Sequence, residues 1–233
     1  GMDIRVKVST ASISGSVTAS AQTGVATFAS NLVLRGTAGS HTLIYEAEGT
    51  SSSGVISTSQ VITLNHGAAS QLVITTAIAN ALSGVDFGTQ PRVELRDPEG
   101  NRVSTSNQAT ATVEVSYSGA VWDAQTKQGV TLTGTRAISL SAGIGQFSGL
   151  RLSGVAGNYA LSFSFVSQPA ISVSGVVTLE PGNATGINVV QQPQNVIAGA
   201  RFAQSVSAEI IDDYYNRVTR VTSSATLVAN LKS

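Results

Sequence analysis

The stretch from Gly143 to Phe165, G-I-G-Q-F-S-G-L-R-L-S-G-V-A-G-N-Y-A-L-S-F-S-F, has a degenerate copy at Gly24 to Tyr45, G-V-A-T-F-A-S-N-L-V-L-R-G-T-A-G-S-H-T-L-I-Y. This recurrence constrains the fold more than any other feature. Phe147 lies 119 positions after Phe28 and Gly157 lies 118 after Gly39, the difference falling in the A-S-N insertion before Leu32. A period of that length is a small domain, well beyond the roughly 20 to 50 residues of solenoid and propeller repeats, so each copy is expected to own a core. A second recurrence relates Gly67 to Gly182, Gly84 to Gly199, Phe87 to Phe202, Asp97 to Asp212, Asn101 to Asn216 and Val103 to Val218, all 115 apart. Together they predict a complete unit at 67–182, the late strands of another at 1–66 and the early strands of a third at 183–233.

Composition sets the class of each unit. Ser, Thr, Gly, Val and Ala abound, while charged residues make up only 11% of the chain. Long helices normally expose Lys, Glu, Arg and Gln, so the bias favours short β-branched strands joined by Gly and Asn turns. The prediction is all-β. Two strands are expected within residues 2–23, where Ile4, Val6 and Val8 alternate before a Ser/Gly-rich turn, and others at Val25 to Leu34, His41 to Glu46 and Gly54 to Leu64. In the complete unit they are expected at Gln71 to Thr75, Gln90 to Asp97, Ala109 to Tyr117, Val130 to Thr133, Ala137 to Leu140, Gln146 to Leu152, Tyr159 to Val166 and Ile171 to Leu179. Short strands at this spacing imply a sandwich or barrel. No apolar run reaches the length of a membrane helix, so no membrane insertion is expected in this segment. Thirteen basic and thirteen acidic residues, with no basic cluster, make nucleic acid an unexpected partner. Zero cysteines exclude disulfides and thiolate metal sites. Gly1 ahead of Met2 reads as a remnant of cloning, and the chain as a piece of a longer protein.

The run V-E-L-R-D-P-E-G-N-R-V (Val93 to Val103), followed by the G-x-x-x-F and A-G-x-Y-x-L-x-F segments, resembles the tandem immunoglobulin-like repeats of bacterial surface adhesins of the invasin and intimin type. The resemblance spans all three units. It implies immunoglobulin-like β-sandwiches in series, forming a stalk on a bacterial cell surface, with adhesion often concentrated in a terminal domain. Three departures from the pattern stand out: Arg102 and Arg217 where the family often has proline, Tyr214-Tyr215-Asn216 where the middle unit has Glu99-Gly100-Asn101, and an enlarged segment from Ser118 to Thr135.

Each conspicuous side chain has a structural reading beside a functional one. Asp97, Glu99 and Asn101 alternate like calcium ligands, but the distal bidentate Glu of a calcium loop is missing. D-P-E-G-N is equally the chemistry of a tight turn, with Pro98 fixing φ and Gly100 accepting a positive one, and the turn is the preferred reading. Tyr159 sits where sandwiches place a tyrosine corner, and its counterpart His41 argues for a structural post. Phe28 and Phe147 are expected core residues. Trp122, the single tryptophan, either caps the core or offers a face to a sugar or partner protein. Lys127, the lone lysine of the complete unit, lies in a loop-like context that disfavours an isopeptide cross-link. Adjacent Asp212 and Asp213 would point to opposite faces of a strand, so no catalytic pair is expected. No enzyme activity and no cofactor are expected.

Two functions follow as expectations. The first is a non-catalytic spacer or stalk segment of an extracellular bacterial adhesin-like protein, partnered by neighbouring domains of the same parent. The second is a carbohydrate- or protein-binding module using the Trp122 loop, with a host or glycan ligand. The two partial end units are also expected to complement one another head to tail between molecules, since half a sandwich exposes core and unpaired edges.

Overall fold

The computed structural model describes residues 2–48, 54–79, 81–220 and 228. It is all-β among the described residues apart from one 3-10 turn at Asn107–Thr110. The chain gathers into two compact units. Unit 1 holds Gly1–Val73, Glu94–Thr110 and Ser141–Ile144; unit 2 holds Ile74–Val93, Ala111–Leu140 and Gly145–Ser233. The expected limit at 66/67 falls inside unit 1 and that at 182/183 inside unit 2.

The strands of unit 1 are β1 (Asp3–Val8), β2 (Ser12–Ser14), β3 (Thr18–Ser20), β4 (Val33–Arg35), β5 (Gly39–Glu48) and β6 (Ile56–Leu64). They form a four-stranded sheet in the order β3-β1-β5-β6 and a β2-β4 pair. Alternation decides which face goes inward: Val6 of β1 and Ala19 of β3 are buried while Arg5, Lys7 and Ser20 face water. Lys7 bridges to Glu46 across the β1–β5 ladder.

After β7 (Gln71–Thr76), unit 2 contributes β8 (Ala81–Leu82); β9 is Arg92–Arg96. Then come β10 (Thr112–Ser116), β11 (Val130–Thr133), β12 (Ala137–Ser139), β13 (Ile144–Gln146), β14 (Arg151–Gly154), β15 (Gly157–Phe165), β16 (Ser172–Glu180), β17 (Gly186–Gln191) and β18 (Ser207–Ile211). Strands β7, β9 and β13, which form one sheet in the order β13-β9-β7, each carry residues assigned to both units. The larger sheet of unit 2 runs β12-β10-β15-β16-β8, beside the pairs β11-β14 and β17-β18. Its core is Val113, Val115, Leu132, Phe147, Leu150, Leu152, Leu161, Phe163 and Phe165, with the Phe147 and Phe163 rings edge to face at 5.4 Å.

The registers of the two units match. Asp3↔Ser20 in β1–β3 corresponds to Thr112↔Ser139 in β10–β12, Ile13↔Leu34 in β2–β4 to Leu132↔Leu152 in β11–β14, and Gly39↔Leu64 in β5–β6 to Gly157↔Leu179 in β15–β16. The turns match as well. Thr23-Gly24 and Ala142-Gly143 have φ of +48 and +82 and of +47 and +75, the paired positive values of a type I′ hairpin turn. In each turn the residues at the two ends exchange both backbone hydrogen bonds.

Three expectations need correcting. The strand expected from Gln146 to Leu152 is two strands, because the chain leaves β9 for β11 through a turn at Gly149, where φ is +63. The stretch Val25 to Leu34 is broken likewise: only Val33–Arg35 is a strand and Val25 makes an isolated bridge to Gln22. Phe28 therefore lies outside any strand. It is half-buried and tilted against Tyr45 at 6.0 Å, unlike the sealed Phe147. The two-residue β8 went unpredicted.

Candidate functional site

The polar groups that sequence reasoning singled out gather at a turn in unit 1. Asp97 follows β9, and the chain reverses through Pro98, Glu99 and Gly100, whose N–H donates to the Asp97 carbonyl at 3.0 Å. Gly100 has φ +83, in the left-handed region where a Cβ is penalised. The reversal points the buried Asp97 carboxylate inward. Its Oδ2 accepts from Gly67 N–H at 2.7 Å and Asn101 Nδ2 at 3.0 Å, and its Oδ1 from Asn101 N–H at 2.8 Å. Burial alone would raise this carboxyl, but hydrogen bonds from Gly67, Asn101 and Glu99 outweigh it and hold the group below the usual carboxylate range.

Asn101 then reaches across to the end of β4. Its Nδ2 donates to Gly36 O at 2.9 Å and its Oδ1 accepts from Ala38 N–H at 2.7 Å. An amide that gives and takes on two backbone groups in one segment fixes both position and orientation. Beside it Arg35 Nη1 meets Glu99 Oε1 at 3.0 Å. All three candidate calcium ligands thus aim oxygens at N–H donors, the arrangement of an Asx-stabilised turn rather than of an oxygen cage. Among the described residues no group of three or more His, Cys, Asp and Glu is placed to hold a metal ion.

The same arrangement recurs in unit 2. Asp212 is buried after β18 and accepts from Gly182 N–H at 2.6 Å, Asn216 Nδ2 at 2.9 Å, Asn216 N–H at 2.9 Å and Tyr214 N–H at 2.8 Å. Asn216 Nδ2 donates to Gly154 O at 2.8 Å, and Asn216 Oδ1 accepts from Ala156 N–H at 2.7 Å. Asp, Asn and Gly are each displaced by 115 positions from the first set, and the two backbone partners by 118. We call this arrangement a clasp. Its two copies share these bonds and differ in burial and at the rim.

That rim brings together two departures that looked unrelated in the sequence. Trp122, in the enlarged Ser118 to Thr135 segment, sets its ring edge to face with Tyr214 at 5.3 Å, and Lys127 Nζ lies 3.9 Å above the Tyr215 ring. Tyr214 occupies the place of Glu99, so an aromatic contact stands where the first clasp has an ion pair. Gly84 makes room, because a Cβ there would come within 2.9 Å of the Tyr214 ring. Trp122 is half-buried on this turn rather than inside the sandwich. Two tyrosines at a turn, together with an insertion that carries the single tryptophan and a lysine, were the available signal.

The tyrosine corner is also duplicated. Tyr159 Oη–H donates to Val155 O at 2.7 Å, and its ring stands edge to face with Tyr117. Burial, and then Tyr117, push its hydroxyl above the usual phenol value. His41 does the same work with different atoms: Nε2 bonds Thr37 O at 2.7 Å, again four residues upstream, and Nδ1 bonds Thr10 Oγ1 at 2.9 Å. His66 lies apart, its Nε2 at 2.9 Å from Thr105 Oγ1. Asp212 is buried and Asp213 exposed, so the adjacent carboxylates do not converge.

No protein-family model matches this chain, and no curated protein does. Among solved structures it is similar to a β-glucuronidase of Parabacteroides merdae with glycerol in the active site, at TM-score 0.34, 11% identity and 76% coverage of this chain. A second Parabacteroides merdae β-glucuronidase structure matches at TM-score 0.34 and 12% identity, and the apo β-glucuronidase 3 of Bacteroides uniformis at 0.33 and 14%, each over 76% of this chain. The chain spans about a fifth of the length of these enzymes, 20% of the first and 21% of the other two. Likeness at this level transfers no activity.

Proposed function

We propose that the chain is a non-catalytic spacer or stalk segment of a bacterial extracellular, adhesin-like multidomain protein. It is built of immunoglobulin-like β-sandwich repeats in tandem, with 67–182 as the complete repeat and its neighbours as the principal partners. The observation that carries this reading is the doubled clasp. At each junction an Asp orders the entry turn of one repeat, and an Asn grips two backbone groups of the repeat before it. Polar groups spent on a neighbour's backbone fix the angle between repeats, whereas a ligand site keeps such groups free. Among the described residues no helix is long and apolar enough to cross a membrane, and domains of roughly 100 to 150 residues bury enough surface to fold without disulfides.

The alternative, a carbohydrate- or protein-binding module using Trp122, has less support because that ring is engaged by Tyr214. The discriminating experiment is residual dipolar coupling on the full chain with the Asn101→Ala/Asn216→Ala double variant. In the wild type, amides of β1–β6 and of the 97–101 turn should fit one alignment tensor, and in the variant they should need two. Unchanged couplings would refute the spacer reading, and glycan binding abolished by Trp122→Ala would favour the alternative.

A further inference from the structure

Strand β16 is the outermost long strand of the larger unit 2 sheet, and most of its outer edge is bare. Its ladder to β15 fixes which backbone groups face outward. Phe165 N–H donates to Ile171 O at 2.9 Å, so that pair is hydrogen-bonded, and alternation turns the N–H and C=O of Val173, Gly175 and Val177 toward β15. Those of Ser172, Ser174 and Val176 face away. Glu180 obeys the same parity, since its outward carbonyl accepts from Ser83 N–H at 2.9 Å beside β8. Strand β8 covers only Leu179 and Glu180, and a turn closed by Ile171 N–H to Gln168 O bounds the other end. Among the described residues no other strand pairs with the edge between, from Ser172 to Thr178.

An exposed edge is ordinarily blunted by charge, proline, a bulge or shortness. The opposite edge of this sheet, β12, is three residues long. Strand β16 uses none of these devices: it is nine residues long, unbroken in register, and free of charge and proline from Ile171 to Leu179. Val176 is 74% exposed on it. On the core side of the edge a cleft of about 80 Å³ opens among Ile74, Ala77, Ile78, Phe163 and Gly175.

The edge is complementary to itself. It runs Ser172-Val173-Ser174-Gly175-Val176-Val177-Thr178, with Gly175 at its midpoint. Two copies laid antiparallel about Gly175 put Ser174 opposite Val176 and Ser172 opposite Thr178, so outward donors and acceptors meet their own kind of edge. They also put Val173 opposite Val177 on the core side, where Val173 of the second copy lies over the apolar cleft. No charged residue falls within the pairing, so no like charges are opposed. A longer overlap would collide with β8, so the free length sets the register.

We propose that β16 pairs antiparallel with β16 of a second copy of this chain, about a twofold axis at Gly175. The contact uses the same patch on both partners and closes as a dimer. One strand pair buries less than the roughly 1,000 Å² of a stable interface, so the contact is weak and gains from high local concentration. All of its residues lie within the 67–182 repeat, and it does not depend on the spacer role.

The chain has no cysteine, so introduced thiols report the register. Under mild oxidation Ser174→Cys chains mixed with Val176→Cys chains cross-link to each other several times more than either does alone. By sedimentation the unmodified chain gains mass with concentration. Val176→Pro removes an outward N–H and leaves the β15 ladder intact, and it weakens association by about tenfold or more. Ser174→Lys/Val176→Lys and Ser174→Glu/Val176→Glu chains stay monomeric apart and associate when mixed, which also shows that they are folded. A monomer at every concentration, cross-linking as strong for each thiol variant alone as for the mixture, or association undiminished by Val176→Pro overturns the proposal. None of these results alters the dipolar-coupling test of the spacer reading.

Discussion

Replacing Asn216 by alanine tests the clasp where it is most buried. The substitution removes three bonds: to Gly154 O at 2.8 Å, from Ala156 N–H at 2.7 Å, and to Asp212 Oδ2 at 2.9 Å. The losses are unequal. Gly154 O keeps the Ser83 hydroxyl at 2.7 Å, and Asp212 keeps the N–H groups of Gly182, Tyr214 and residue 216 itself. Half-buried Ala156 loses the partner of its N–H, which costs up to about 1 to 3 kcal/mol, depending on how far water can replace it. Adding a weakened bond to a charged acceptor gives an expected destabilisation of about 2 to 4 kcal/mol for Asn216→Ala. Asn101→Ala should lose less, because Asn101 is only half-buried and water can replace its partners. The assay is denaturant unfolding followed by fluorescence of Trp122, the single tryptophan, whose ring abuts Tyr214 beside this clasp. A shift below about 0.5 kcal/mol, the range of ordinary surface substitutions, would refute the reasoning.

Two further outcomes follow from buried groups. Phe147→Ala should destabilise unit 2 by about 3 to 5 kcal/mol, since it leaves a cavity against Phe163 as well as losing transfer energy; unfolding within about 1 kcal/mol of wild type would contradict the burial. Asp97 has a folded-state value below its unfolded one, so its contribution is present above the unfolded carboxylate value of about 3.9 and is lost as pH falls through the folded value. Thermal melts below about pH 4 should therefore fall more steeply for wild type than for Asp97→Asn, and parallel curves would count against the hydrogen-bonded carboxylate.

Much of the fold was readable because it depends on local rules. Alternation located β1, β10 and β15 to within a few residues, and Val130 to Thr133 without error, since one buried face per strand leaves a period of two. Where the chain changes sheets the signal fails: Gln146 to Leu152 carries Phe147, Leu150 and Leu152 and no proline, yet Gly149 divides it. Strand β8 is two residues long and too short to carry a period. The candidate site was legible as a list of residues but not as an arrangement. Asp97 and Asn101 read as a turn from D-P-E-G-N, while the grip of Asn101 on Gly36 and Ala38, some sixty residues upstream, is tertiary. Trp122 and Tyr214 were each noticed as oddities, and only the folded chain shows that one faces the other.

The rims of the two clasps differ in kind: Arg35 with Glu99 in one, Trp122 and Lys127 with Tyr214 and Tyr215 in the other. Chains made of similar neighbours are prone to misassembly, in which one domain folds with the wrong companion. A Glu99 turn presented to the Trp122 hairpin would leave its carboxylate against an aromatic ring, and a Tyr214 turn presented to Arg35 would leave a tryptophan uncovered. On the spacer reading proposed above, the common Asp and Asn would let any two repeats join, and the unlike rims would select which two.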